Sequence, residues 1–189
     1  MSKAALEAIR RKFGADVIAA HSEHGDDTVV VKRERLLAVA EYALTDPDLG
    51  FEMLSDLTAV DWLMQGRTPR FEVVYHLLSL AKRKRLRLKV PVTEEDPQVP
   101  SVTRLWKSAN WMEREVWDLY GIRFDGHPDL RRILLYEEFQ GHPLRKDYPM
   151  AKRQPLSRRP DAPGGWEQKH ILSGPSAGAH FKGTYDVHD

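Results

Sequence analysis

Two consecutive stretches, 71–78 and 85–90, alternate in side-chain character with a period of two, and this pattern constrains the fold more than any other feature of the sequence. The first stretch is apolar on one face and largely apolar on the other, so a strand there has both faces at least partly covered. The second stretch separates apolar from basic side chains, which are Leu86, Leu88 and Val90 on one face and Arg85, Arg87 and Lys89 on the other. We predict two strands joined by a turn, with the basic run as a solvated edge of the sheet, because Lys and Arg protect edges from aggregation.

Periodicity and turn residues predict the remaining elements of the domain. In chain order these are a helix at 1–13, two strands at 16–32, a helix at 33–44, a strand at 51–62 and a helix at 101–120. The last helix is predicted to start at Ser101 as its N-cap and to end at Gly121. Strands and helices joined by short turns indicate an α+β domain over 1–150, with a small mixed or antiparallel sheet and helices packed on one face.

The composition changes at about residue 151. The segment 151–189 is rich in Pro, Gly and charged residues and has no sustained hydrophobic period. Such a segment buries too little apolar area to fold alone. We therefore predict an extended or partner-dependent C-terminal segment after the domain.

Charge and cysteine content exclude several classes of function. The chain has 29 Lys and Arg against 28 Asp and Glu, a net charge of +1, which does not suggest a nucleic-acid binder. No apolar run approaches the roughly 20 residues of a membrane-spanning helix, so association with a membrane would require a partner. The sequence contains no cysteine, which excludes disulfides, a thiolate nucleophile, Cys-ligated zinc and an iron–sulfur cluster on the chain's own thiolates.

The helix predicted over 101–120 carries two side chains whose polarity does not match their position. On a helical wheel, Glu113 falls near the middle of the apolar sector and Trp111 near the middle of the polar one. A buried carboxylate needs partners, so we predict that Glu113 is an internal clamp that meets several backbone N–H groups or one of Arg131, Arg132 and Arg145. A tuned acid or base is the weaker interpretation. We expect Trp111 to be covered by the C-terminal segment or by another protein.

A Gly-His-Pro sequence followed by basic residues occurs twice, at 126–132 and 141–146. His127 and His142 could be metal ligands, but their spacing matches no known ligand pattern. An anion could bind the nearby cations, yet no glycine-rich loop leads from a strand into a helix, and no serine nucleophile motif accompanies the histidines. Docking is the favoured function, because X-Pro extends the backbone and guanidinium groups supply forked donors. The side chains expected to pack inward are Ile133, Leu134 and Leu135, and the cations are Arg131, Arg132, Arg145 and Lys146.

The sequence of residues 113–134 resembles the signature of the C-subunit family of respiratory complex I, the proton-pumping NADH:quinone oxidoreductase. The family pattern starts with Glu-Arg-Glu, continues with an acidic residue and two apolar or aromatic ones, and ends with a His or Lys, a basic residue or Pro, and two aliphatic residues. The residues at those places are Glu113, Arg114, Glu115, Asp118, Leu119, Tyr120, His127, Arg131, Ile133 and Leu134. Residues 141–149 resemble the family's closing motif, which adds His142, Arg145, Lys146 and Asp147.

The resemblance implies a subunit of the hydrophilic arm, peripheral to the cell inner membrane on its cytoplasmic side. It implies contacts with the D-type subunit, which helps to form the quinone pocket, and with the iron–sulfur subunits of the B and I type. It implies no redox centre in this chain, since FMN, the iron–sulfur clusters and the quinone would belong to partner subunits. No residue is expected to be catalytic. The residues expected to dock or to hold the docking segment are Trp111, Glu113, Arg114, Glu115, Asp118, His127, Arg131, Arg132, His142, Arg145, Lys146 and Asp147.

Other functions compete with this interpretation. Membrane-bound nickel–iron hydrogenases, F420-type dehydrogenases and the photosynthetic ferredoxin-oxidising complex use relatives of the same subunit, and co-purified partners would distinguish them. A free-standing hydrolase using His127 or His142 predicts turnover by the isolated chain. An RNA-binding module using the basic run at 82–89 would lack aromatic residues for base stacking.

Overall fold

The computed structural model describes residues 3–152 and residue 154. In this part of the chain, α-helices and β-strands alternate with short turns. The elements, in chain order, are α1 (Lys3–Phe13), β1 (Val17–Glu23), β2 (Asp26–Val31), α2 (Leu36–Thr45), β3 (Met53–Asp61), β4 (Phe71–Ser79), β5 (Lys84–Val92), β6 (Gln98–Pro100), α3 (Ala109–Tyr120) and β7 (Arg123–Asp125). Short 3-10 turns occupy Gly14–Asp16, Arg33–Arg35 and Leu63–Gln65.

Five strands form one mixed sheet in the order β1-β2-β5-β4-β3. The middle strand, β5, pairs in parallel with β2, where Leu88 is opposite Val29, and antiparallel with β4, where Leu88 is opposite Tyr75. The hairpins β1–β2 and β3–β4 are antiparallel. The predicted α+β class is therefore confirmed, and so is the turn between the two alternating stretches.

The prediction that the basic run of β5 forms an edge of the sheet is wrong. On the face opposite Leu88, Arg87 bonds to Asp26 of β2 at 2.8 Å, and Lys89 bonds to Glu72 of β4 at 2.9 Å. Carboxylates on both neighbouring strands therefore neutralise these cations in the middle of the sheet. Lys and Arg do protect edges, but here paired cross-strand charges stabilise an interior position instead.

The core lies between the Leu88 face of the sheet and the three helices. The buried helix residues repeat at helical spacing, which explains why these segments fold as amphipathic helices against the sheet. Burial of each large aliphatic side chain stabilises the fold by roughly 1.5–3 kcal/mol. The fully or nearly fully buried members from the helices are Ala5, Leu6, Ile9, Leu36, Val39, Ala40, Ala43, Ala109 and Val116.

The last helix is shorter than predicted, because α3 begins at Ala109 and residues 101–108 form turns. Ser101 is not its N-cap: its N–H donates to the carbonyl of Asp125, and its hydroxyl bonds Glu113. The hydrophobic period of residues 101–108 favours a helix, but these tertiary contacts hold the segment in turns. The C-terminal boundary is as predicted, since Gly121 takes the left-handed conformation (φ +75°) that ends a helix.

Residues 126–152, here called the strap, run beside α3 in turns and irregular structure after the short parallel pair β6–β7. Apart from residues 151, 152 and 154, the segment 151–189 lies outside the described residues, and its extended or partner-dependent character stays a prediction. Within 3–152 and 154, no helix has both the length and the apolarity to cross a bilayer.

Candidate functional site

The carboxylate of Asp118 on α3 is the point where the strap is fixed. Asp118 is fully buried and pairs with Arg132 Nη1 at 2.6 Å. Its second oxygen accepts three consecutive backbone N–H groups of the strap, from Ile133 (3.1 Å), Leu134 (2.9 Å) and Leu135 (2.9 Å). Burial alone would raise the pKa of Asp118, but the N–H groups and the guanidinium hold that pKa below its usual value. The site is therefore a satisfied anion in a ring of donors.

Arg114, four residues before Asp118 and on the same side of α3, binds the carbonyl groups of the strap. Its guanidinium donates to the carbonyl oxygens of Arg131 (3.1 Å) and Arg132 (3.0 Å). Arg132 in turn donates to the carbonyl of Phe139 at 2.7 Å. Residues four apart on a helix are neighbours on the helix surface. Arg114 therefore binds carbonyl groups of the strap beside Asp118, which binds N–H groups of the strap.

The two histidines of the Gly-His-Pro segments contact backbone carbonyls of α3. His127 accepts the N–H of Asp129 on Nδ1, so its Nε2 carries the proton and donates to the carbonyl of Asn110 at 3.1 Å. His142 Nδ1 donates to the carbonyl of Asp118 at 2.9 Å, and burial lowers the pKa of its ring. Each imidazole is thus used to attach the strap to the helix.

Gly121 lets the strap approach the end of α3 closely. A Cβ added there would lie 2.6 Å from the ring of His142 and 2.9 Å from Arg145 Nη2. Arg145 Nε donates to the carbonyl of Tyr120 at 2.6 Å, one of the carbonyls that a helix end leaves without an intrahelical partner. Only glycine combines the left-handed backbone with this contact.

The far end of the strap is held by an ion cluster around the buried Asp61 and Arg70, two residues that the sequence analysis did not identify. Arg70, immediately before β4, pairs with Asp61 of β3 and with Asp147 of the strap, each at 2.8 Å, and it also contacts Glu94. The N–H of Lys146 donates to Asp61 at 2.9 Å. Burial opposes the charge of Asp61, but the Arg70 bonds lower its pKa to about 2. The signal was available: opposite charges stand at the end of β3 and the start of β4.

The predicted pairing of Glu113 with an arginine is wrong. Its carboxylate accepts the N–H of Val102 and contacts the Ser101 hydroxyl, each at 2.7 Å. The other predicted arrangement, with several backbone N–H groups, is correct in part, because one N–H group and one hydroxyl are the partners. Glu113 and Asp118 lie roughly 140° apart on the helix, at about 100° per residue. The strap crosses the Asp118 side, so Arg131, Arg132 and Arg145 lie out of reach of Glu113. Without a cation, burial raises the pKa of Glu113 to about 7.

Several predicted docking residues face outward. Trp111 is 67% exposed and Glu115 is exposed. Arg131 pairs on the surface with Asp129, and the side chain of Lys146 is exposed. Ile133 and Leu135 are half-buried, but Leu134 is 64% exposed, so its inward packing is a wrong prediction. The three N–H groups facing Asp118 turn this stretch so that Leu134 points away from the domain.

The five-stranded mixed sheet with helices on one face defines the class, an α+β domain that recurs in solved structures. A solved structure of the trypsin-resistant fragment (1–134) of Nqo5 aligns with a TM-score of 0.58 at 41% identity, over 68% of this chain and 98% of that one. A structure of the membrane-bound sulfane sulfur reductase, an archaeal respiratory membrane complex, aligns with a TM-score of 0.65 over 77% of this chain and 84% of that chain. At 20% identity, this second likeness shows the fold alone.

The sequence comparisons are more specific. The family described as respiratory-chain NADH dehydrogenase, 30 Kd subunit, matches residues 29–154, and the chain belongs to this family. The C subunit of NADH-quinone oxidoreductase from Roseiflexus sp. strain RS-1 is 48% identical over 149 residues, which are 79% of this chain and 84% of that protein. The protein of the same name from Trichlorobacter lovleyi is 49% identical over 146 residues, 77% of this chain and 88% of that protein.

Proposed function

We propose that the chain is a non-redox scaffold subunit of a proton-pumping NADH:quinone oxidoreductase. Its role is to dock against neighbouring subunits of the hydrophilic arm and keep them in register for electron transfer from NADH to quinone. The observation that carries the proposal is the Asp118 site. There a buried carboxylate and four strap donors fix an irregular segment whose other side faces solvent.

The ionisable groups of α3 and the strap support a structural role over a catalytic one. Asp118 is saturated with donors, and both strap histidines bond to helix carbonyls. A general acid or base needs a lone pair or proton directed at a reacting group. The Asp118 oxygens, both ring nitrogens of His127 and Nδ1 of His142 are engaged within the chain, which favours docking as the function for the surface around them.

The proposed partners are subunits of the D, B and I type. FMN, the iron–sulfur clusters and the quinone are assigned to partner subunits, with no cofactor in this chain. The absence of cysteine from the 189 residues supports this assignment, because iron–sulfur clusters are held by thiolates. We place the protein at the cytoplasmic side of the cell inner membrane, attached only through the complex.

The respiratory enzyme is favoured over the related assemblies. The relatives at 48% and 49% identity are named as subunits of NADH-quinone oxidoreductase, whereas the sulfane sulfur reductase chain shares 20% identity. These names support the NADH-dependent complex over a hydrogenase, an F420-type dehydrogenase or a photosynthetic complex.

The test is purification of the tagged chain from native membranes in a mild detergent. We expect NADH-binding flavoprotein subunits and subunits of the D, B and I type to co-purify, with NADH:quinone reductase activity in the eluate. Hydrogenase subunits in their place would contradict the assignment. Turnover by the isolated chain, or a redox group retained on it, would contradict the scaffold role.

A further inference from the structure

The outer surface of α3 has an aromatic centre that the strap leaves uncovered. Trp111 is 67% exposed, although tryptophan is the side chain with the most apolar area to bury. A lone exposed apolar residue is ordinary on a protein surface. Two properties of its surroundings, a rigid support and a surplus of positive charge, distinguish Trp111 from that case.

The backbone on both sides of Trp111 is held in place. The carbonyl of Asn110, its neighbour, accepts the Nε2 proton of His127 at 3.1 Å. Arg114, three residues on, is fixed by two strap carbonyls, and its guanidinium carbon lies 5.8 Å from the centre of the Trp111 ring. A side chain on a backbone that is already ordered adds no backbone-ordering cost on binding, which is one property of a preorganised anchor.

The charges around Trp111 are mainly positive. Lys107 is exposed in the turn that leads directly into α3, where its carbonyl accepts the N–H of Asn110 at 3.3 Å, and its ammonium group makes no ion pair or hydrogen bond to any described residue. Arg114 adds a second cation, and Glu115 is the exposed carboxylate of α3. The cluster formed by these residues, here called the Trp111 patch, therefore carries a surplus of positive charge.

Building on the proposed function, we propose that Trp111 is the anchor by which a neighbouring subunit with an acidic surface grips this chain. The indole enters an apolar pocket of that neighbour, and carboxylates on the pocket rim face Lys107 and Arg114. Tryptophan is enriched among residues that dominate binding, and complementary charges across an interface set association rate and specificity.

Two other occupants fit the patch less well. Residues 155–189 carry four basic and four acidic side chains, so this segment offers no net negative charge to the patch. A second copy of the chain in a two-fold dimer would set the patch against itself, cation facing cation. An acidic neighbouring protein is the occupant that charge complementarity selects.

A photo-crosslinking residue at position 111, in the complex extracted from native membranes, identifies the occupant directly. We expect a crosslink to another subunit of the oxidoreductase, through a peptide with more Asp and Glu than Lys and Arg. The matched control position is Arg11, which is exposed on α1 at the opposite end of the sheet. A crosslink to residues 155–189, to a second copy or to a basic peptide, or no crosslink at all, overturns the inference.

Charge and size variants test the same surface through retention of the tagged chain in the complex. Trp111→Ala should weaken binding on the order of 30-fold, the effect of a strong interface residue. Lys107→Glu should make the complex dissociate at lower salt than the wild type, whereas Lys107→Arg and the control Arg11→Glu should both behave as wild type. Wild-type retention of both Trp111→Ala and Lys107→Glu overturns this inference alone. Failure of the wild-type chain to co-purify with NADH-quinone oxidoreductase subunits overturns the proposed function itself.

Discussion

Asp118 and Arg132 form an ion pair of 2.6 Å whose two ends are held by different parts of the chain. Asp118 belongs to the rigid helix α3, and Arg132 lies on the strap and reaches back to the carbonyl of Phe139. The pair therefore fixes the course of the strap on both sides of residue 132. This makes the carboxylate, rather than the histidines, the main determinant of the strap's conformation.

Replacing Asp118 should release the strap. Asp118→Asn keeps the size but removes the charge, so a largely buried guanidinium and three N–H groups lose their anionic acceptor. We expect the free energy of unfolding to fall by about 3 kcal/mol, the order found when a buried pair loses one partner. Urea unfolding of the purified chain measures this loss, and trypsin cleavage after Arg131 and Arg132 should accelerate.

Glu115→Gln is the matched control for Asp118→Asn, because Glu115 is an exposed carboxylate of the same helix. It should change stability by less than about 0.5 kcal/mol, as surface substitutions usually do. Equal urea midpoints for the Asn variant and the wild type, with unchanged trypsin cleavage, would contradict the assigned role of Asp118.

The buried Glu113 should make stability fall as pH rises. Its pKa is raised by burial from the ordinary 4.5 to about 7 in the folded state, so folding favours the protonated form. Its contribution is fully present below pH 4.5 and is lost as the pH rises through about 7. The total change is on the order of 3 kcal/mol, at about 1.36 kcal/mol per pKa unit.

Glu113→Gln removes this titration while keeping both hydrogen bonds. The amide oxygen can accept the Val102 N–H, and the NH₂ group can donate to the Ser101 hydroxyl. We expect the variant to match the wild type at about pH 4 and to be more stable at about pH 8, measured as the difference between two pH series of urea unfolding. A constant difference between the two proteins across this range would show that Glu113 does not titrate there.

Sequence patterns found the local features and missed those that depend on distant segments. The alternation at 71–78 and 85–90 identified β4 and β5, because a period of two is a property of each strand. The alternation could not show that β5 lies in the middle of the sheet, because the parallel partner of β5, β2, lies about sixty residues earlier. Asp26 and Glu72 supply the charges that permit basic side chains at this central position. Strand order is a property of the whole chain.

The candidate site shows the same division. The helical wheel correctly identified Glu113 as a buried carboxylate, the resemblance included Asp118, and Arg132 was predicted as a cation of the docking segment. The partners of Glu113 are Ser101 and Val102 instead of the predicted arginine. Residues 101–108 leave the helical path, and this brings Ser101 and Val102 to Glu113. The opposite charges of Asp61 and Arg70 could have indicated their pairing across β3 and β4, but nothing in the local sequence shows that the strap returns to them some eighty residues later.

Gly121 should tolerate no side chain. Gly121→Ala forces a left-handed residue with a Cβ, at about 1–2 kcal/mol, and also sets that Cβ 2.6 Å from His142. Gly126→Ala is the matched control, because Gly126 has φ +78° and nothing within 4 Å of an added Cβ. Thermal unfolding should show Gly121→Ala to be the less stable by a further 1–3 kcal/mol, roughly the cost of overpacking. Equal losses in the two variants would show that the strap yields easily at His142.

Arg70 should matter far more than Asp147, although the two form one ion pair. Arg70→Ala leaves the buried Asp61 without its guanidinium, which costs on the order of 3–5 kcal/mol. Asp147 is half-exposed, so Asp147→Ala removes a screened contact worth at most about 1 kcal/mol. Arg70→Lys is an informative third variant, because Lys keeps the charge but cannot donate the two parallel bonds that Arg70 makes to Asp61. Urea unfolding should rank the losses as Arg70→Ala, then Arg70→Lys, then Asp147→Ala. A loss for Asp147→Ala equal to that for Arg70→Ala would locate the stabilising contact on the strap rather than between β3 and β4.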